Sequence, residues 1–219
     1  MATENAGMEA TQLMLLLNWM SPAFPIGTYA YSHGLEWAIE HGDVRSASDV
    51  EQWIGDVITT GSGWNDAVVF ALAWTSDIKE LNQLALALCS SRERHVETTQ
   101  LGSAFRVAAG HFTPLDAWDG DLAYPVSAAV ACAAMNIPCN PALLAFLQGF
   151  SNVLISVAVR LVPLGQTAGL EVMRNLMALI SRTASRACSA TLEDLGSNTI
   201  ISDISAMKHE TQASRIFRS

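Results

Sequence analysis

Over 219 residues, 12 Lys and Arg face 21 Asp and Glu, a formal charge of −9, and 50% of the residues are hydrophobic while only 15% are charged. Soluble domains carry about 25% charged residues, and disordered chains pair high charge with low hydrophobicity, so this chain folds and has apolar surface to place in a core, a membrane or a partner. The acidic balance argues against a nucleic-acid binder, which needs a clustered positive face.

In chain order, residues 1–10 read as a flexible N-terminus without the basic start of a signal peptide. Thr11–Met20 predicts a helix with Leu13, Leu16, Leu17 and Met20 on one face. Ser21–Tyr31 holds two prolines and a glycine and reads as a shaped loop, followed by a short helix over Ser32–Glu40. Ser48 with Glu51 forms a predicted capping box. It opens a helix whose stripe is Val50, Trp53, Ile54, Val57 and Ile58. Gly61-Ser62-Gly63 breaks that helix, and the next runs from about Asn65 to Trp74. Ser76-Asp77 caps a Leu- and Ala-rich helix ending near Cys89. Ser90 with Glu93 reads as a second capping box, opening a helix to about Ala109. His95 there sits among Arg92, Glu93, Arg94 and Glu97, the pattern of a solvated face, and His111 falls in a polar loop. Two uncharged helices follow, the second with Asn140-Pro141 at its start. Pro163–Gly169 is a break, and a long helix continues to about Ala187. The expectation is an all-α bundle of roughly ten helices over 11–197, with a helix and tail over 198–219.

The mean hydropathy is +0.26, and no charge occurs between Asp121 and Arg160, so a small membrane protein is an alternative. A span needs about 20 apolar residues. Pro125, Pro138 and Pro141 divide the stretch, and Gln148, Ser151, Asn152 and Ser156 interrupt its second half, which favours a buried core helix. There is no lipidation motif at the end of the chain. Cys89, Cys132, Cys139 and Cys188 are scattered without a Cys-x-x-Cys pair and read as free thiols.

Phosphate-loop, nucleophile-elbow and His-Glu-x-x-His signatures are absent. Gly61-Ser62-Gly63 has no flanking strand and is no dinucleotide fingerprint. His33 and Glu36, three apart, could share a metal on one helix face, which gives a helical metalloenzyme as a second alternative. Two segments look like contacts. Phe24–Glu36 crowds Tyr29, Tyr31, Ser32, His33 and Glu36 into eight positions, and aromatic groups with polar tips favour interfaces. The last residues, Asp203–Ser219, set Met207, Ile216 and Phe217 beside Lys208, His209, Arg215 and Arg218. Such a tail either docks on a partner or folds back on its own bundle.

At these segments the sequence resembles the UreF family of urease accessory proteins, from about Leu13 to Ser219. The resemblance is most specific in SPAFPIGTYAYSHGLE (Ser21–Glu36), RLVPLGQTAG (Arg160–Gly169) and DISAMKHETQASRIFRS (Asp203–Ser219). One place departs: Tyr124-Pro125-Val126 is followed by Ser127, Ala128 and Ala129, where the family has bulkier residues and a glycine. The resemblance implies an all-α, dimeric, cytoplasmic protein with no catalytic activity and no cofactor bound directly. It implies a scaffold that binds the accessory protein UreD/UreH, recruits the nickel-carrying GTPase UreG, and serves nickel delivery to apo-urease, with a proposed part in controlling the GTPase. It places Met207, His209, Glu210, Gln212, Arg215, Phe217 and Arg218 in a segment docking on UreD/UreH. It makes Tyr29, Tyr31, Ser32, His33, Glu36, Arg160 and Gln166 candidates for the dimer region or the GTPase-facing surface.

Overall fold

A computed structural model describes residues 8–219; the start of the chain, read above as flexible, lies mostly outside them. Ten α-helices follow in order: α1 Ala10–Trp19, α2 Leu35–Glu40, α3 Ala47–Thr60, α4 Ser62–Leu72, α5 Ile78–Ala87, α6 Arg92–Ala109, α7 Tyr124–Ala134, α8 Cys139–Leu161, α9 Gly165–Ala187 and α10 Ile200–His209. Two 3-10 turns, Thr28–Ala30 and Leu192–Asp194, complete the secondary structure, and no strand occurs among the described residues. The all-α expectation is met.

The helix caps differ from the sequence reading in three places, and α2, α4 and α9 start at Leu35, Ser62 and Gly165 rather than at Ser32, about Asn65 and after Gly169. The α3 box is Ser46 with Asp49, not Ser48 with Glu51. Asp49 accepts from the N–H groups of both Arg45 and Ser46 at 2.9 Å, so the earlier pair satisfies more free donors. The α6 cap is Ser91 rather than Ser90, accepting from the Arg94 N–H, with no reciprocal glutamate. α8 starts at Cys139, with Pro138 rather than Asn140 at the N-cap position and no side-chain cap, and Pro141 sits in the first turn, where its missing N–H leaves no donor unpaired. Asp77 caps α5 as expected.

The α3 stripe packs inward, with Val50, Ile54, Val57 and Ile58 buried. In α1 the inward face is Leu15, Leu16 and Trp19, while Leu13, Met14 and Leu17 are exposed. That corrects the predicted face: four leucines in five positions fit several helical stripes, and the neighbouring Trp19 decides which one turns in.

The uncharged stretch forms the centre. α8 is apolar and long enough to cross a membrane, with a mean hydropathy of 1.9, yet half of that window is buried within the fold. It packs against α9, α2, α4 and α7. α7 contributes the small residues Ala128, Ala129 and Ala131, all fully buried, and lies close on α6. A Cβ on Gly102 would sit 1.9 Å from the Leu122 carbonyl oxygen, so only glycine allows that approach. The Ser127 hydroxyl, one of the departing residues, donates to the Gly102 carbonyl at 3.0 Å and seals the contact. α10 lies on α2 in the same way: Gly34, at φ +78°, would place a Cβ 2.5 Å from the Ala206 nitrogen.

Candidate functional site

The two contact-like segments meet. The loop before α2 and the residues after α10 run side by side, with Arg218 donating its N–H to the Ala30 carbonyl at 2.8 Å and Ser32 donating to the Ser219 carbonyl at 2.7 Å. The Ser32 hydroxyl also bonds that carbonyl. Positive φ at Gly27, His33 and Gly34 coils the loop. His33 at φ +54° is an unusual conformation for a residue with a Cβ, held here by its contacts with Glu97 and Phe150.

Glu36 is the anchor. It lies in the first turn of α2, is buried, and accepts the N–H groups of Ile216 at 2.7 Å and Phe217 at 2.9 Å. It also faces His209 Nε2 at 3.0 Å. The other ring nitrogen of His209 meets Glu93 at 2.6 Å. His209 is fully buried, with one ring nitrogen against each carboxylate. Arg215 closes the group, 2.6 Å from Glu93.

A second cluster lies one turn along α6. Arg94 pairs with Glu97 at 2.7 Å and Asp66 at 3.3 Å, and His33 Nε2 meets Glu97 at 2.9 Å. The Ser219 hydroxyl donates to the other Glu97 oxygen at 2.7 Å. Burial pushes the Glu97 carboxyl up, but the Arg94 charge, then His33 and the Ser219 hydroxyl outweigh it and hold the group at about 2. Burial, then the Arg94 charge, pushes His33 below its ordinary range. The neutral ring then donates from Nε2 and leaves Nδ1 without a partner. His33 packs on Phe150 and, with Asp66, Arg94 and Glu97, lines a cavity of about 40 Å³.

Most of the residues picked from sequence gather around these clusters. Tyr31 donates to Gln100 at 2.7 Å, and Arg218 reaches the same oxygen at 3.2 Å. Glu210 accepts the free Arg92 N–H at the start of α6 at 2.8 Å, and Gln212 donates to Glu40. Phe217 is buried under the Arg160 guanidinium, 4.7 Å from the ring centre. Tyr29, Gln166 and Met207 stay outside, exposed.

His33 and Glu36 do not share a metal site: His33 turns to Glu97 and Glu36 to His209. Among the described residues no group of three His, Cys, Asp or Glu side chains has metal-holding geometry. The sequence reading missed Asp66, Glu93, Arg94, Glu97 and Gln100. The α6 run is not a solvated face, since Arg94 and Glu97 are buried. The signal was present: Arg94, Glu97 and Thr98 continue the stripe of Leu101 and Phe105, so charges occupy core positions of the helix.

The other side of the C-terminal segment is apolar and open. Ile200, Ile201, Ile204 and Met207 recur along one face of α10 with 47–68% of their surface exposed, and Ile216 is exposed beyond them.

The UreF family model matches residues 44–177. A urease accessory protein UreF 1 of Brucella canis is 44% identical over 217 residues, covering 95% of each chain. The urease accessory protein UreF of Brucella ovis is equally similar, at 44% over the same length. That of Rhodopseudomonas palustris is 40% identical over 224 residues, covering 96% of this chain and 94% of its own. The family match falls on α3 to α9, and the relatives extend the likeness across nearly all of the chain.

Proposed function

The chain belongs to the UreF family of urease accessory proteins, and on that premise we propose that it is a maturation scaffold which binds UreD/UreH and recruits the GTPase UreG to apo-urease. Its family is one of accessory proteins in urease maturation, not of catalysts. The finer roles are the proposal: a cytoplasmic homodimer, in which UreD/UreH covers the outer face of α10 and the tail, and nickel passes as cargo of the whole assembly.

The observation that carries this reading is the two-sidedness of the C-terminal segment. Its inner side is fixed by Glu36, Glu93 and Glu97, and its outer side offers Ile200, Ile201, Ile204, Met207 and Ile216 to solvent. Exposed apolar side chains on a preordered support bind with little ordering cost. Tyr29 and Gln166, exposed at the loop and at the start of α9, are candidates for the dimer or the GTPase-facing surface. Control of the GTPase requires that the scaffold bind one nucleotide state better than another, because equal affinity couples nothing.

Co-expression with UreD/UreH and UreG tests the reading. Wild-type protein should co-purify with both, and removal of residues 203–219 should abolish UreD/UreH capture. Undiminished capture by the truncated chain would remove the tail from the interface.

A further inference from the structure

The α8–α9 hairpin is closed at one end by the short turn at Val162–Leu164. At the other end Cys139, the first residue of α8, meets Cys188, the residue that ends α9, with the two sulfurs 3.4 Å apart. Both thiols are free; Cys188 is exposed and Cys139 half-buried behind it. An S–S bond is about 2.05 Å long, so side-chain movement of roughly 1.3 Å would join them. The two residues are 49 positions apart, and only the antiparallel packing of two 23-residue helices brings them together.

We propose that Cys139 and Cys188 form a reversible dithiol–disulfide modification site that takes a small hydroperoxide as its oxidant. The Cys188 sulfur, open to solvent, attacks the peroxide oxygen; the O–O bond breaks, one oxygen stays as the Cys188 sulfenic acid, and the other takes the thiol proton and leaves as water from hydrogen peroxide or as the alcohol from an organic hydroperoxide. The Cys139 sulfur then attacks the Cys188 sulfur. The S–S bond forms, the S–O bond breaks, and the hydroxide takes the Cys139 proton and leaves as water. Two thiols are oxidised by two electrons and one peroxide is reduced.

The order of attack follows from the surroundings. Burial, then the hydrogen bond to Cys188 and its charge, pushes the Cys139 thiol up to about 12. Cys188 is exposed and Cys139 half-buried behind it, so the peroxide meets Cys188 first and Cys139 is left to resolve the sulfenic acid. Cys132 lies deeper in α7, fully buried, and takes no part.

The bridge would clamp the open end of the hairpin. α8 carries Phe150 against His33 and Arg160 over Phe217, so the same helix supports the seat of the tail. The inference stands independently of the scaffold role.

The test is hydrogen peroxide treatment of the full-length reduced protein, followed by thiol blocking and peptide mapping. The expected product is a chain with no covalent link to another, lighter by about 2 Da, with one linked peptide pair holding Cys139 and Cys188, reversed by dithiothreitol. Oxidation should raise the melting temperature by about 5 °C or more, and Cys139→Ser or Cys188→Ser should abolish that rise. Sulfinic acid on Cys188 with Cys139 still a thiol, a Cys188-linked dimer between two chains, or a bridge to Cys132 would each overturn the proposal.

Discussion

The two sides of the C-terminal segment use opposite chemistry. Inward, His209, Phe217 and Ser219 are buried against a polar, charged lining from α2 and α6. Outward, isoleucines and a methionine stand in solvent. Ordinary helices at a surface do the reverse. Buried ion pairs fix geometry and add little net stability, whereas apolar surface drives association. The inner side therefore sets where the segment lies, and the outer side leaves apolar surface open once it lies there.

The strongest way to break this contrast is Arg94→Ala. It leaves Glu97 and Asp66 facing each other without a cation, and urea unfolding should show a loss of about 3–5 kcal/mol. A fall below 1 kcal/mol would mean the inner cluster holds nothing.

Acid should act on the same side with a smaller effect. Glu97 titrates at about 2 in the folded chain against 4.5 for the ordinary group. A lowered carboxyl contributes stability that is full above pH 4.5 and is lost as pH falls toward 2. His33, lowered from 6.5, works in the same sense, since the folded chain resists the proton that the unfolded chain accepts as pH drops below 6.5. Unfolding free energy should therefore decline from about pH 6.5 downward, and Glu97→Gln should flatten the part below pH 4.5. An unchanged slope in that variant would assign the acid sensitivity elsewhere.

The outer side should behave in the opposite way. Ile204→Asp should alter stability by no more than about 0.5 kcal/mol, yet weaken capture of UreD/UreH at least about tenfold. Equal affinity in a titration would take the α10 face out of the partner interface.

The helices were legible because periodic apolar residues, Gly61 and Pro163 punctuate the chain in ways that local physics dictates. Box positions were less so, because Ser46 and Ser48 are both good caps in isolation, and the Arg45 and Ser46 N–H groups that Asp49 satisfies select the earlier one. The charged clusters were hidden for a different reason. Arg94 and Glu97 look like surface residues until Asp66, His33 and Ser219, from distant parts of the chain, are brought around them. The loop and tail motifs drew notice separately, and nothing in either one states that Glu36 receives the backbone of Ile216 and Phe217.

That grip has a consequence for how the segment can change. Glu36 holds main-chain N–H groups, which every residue except proline possesses. The seat thus reads position along the tail rather than side-chain identity at 216. The exposed side chain there is left free to change, substitution by substitution, while the register of the chain stays the same.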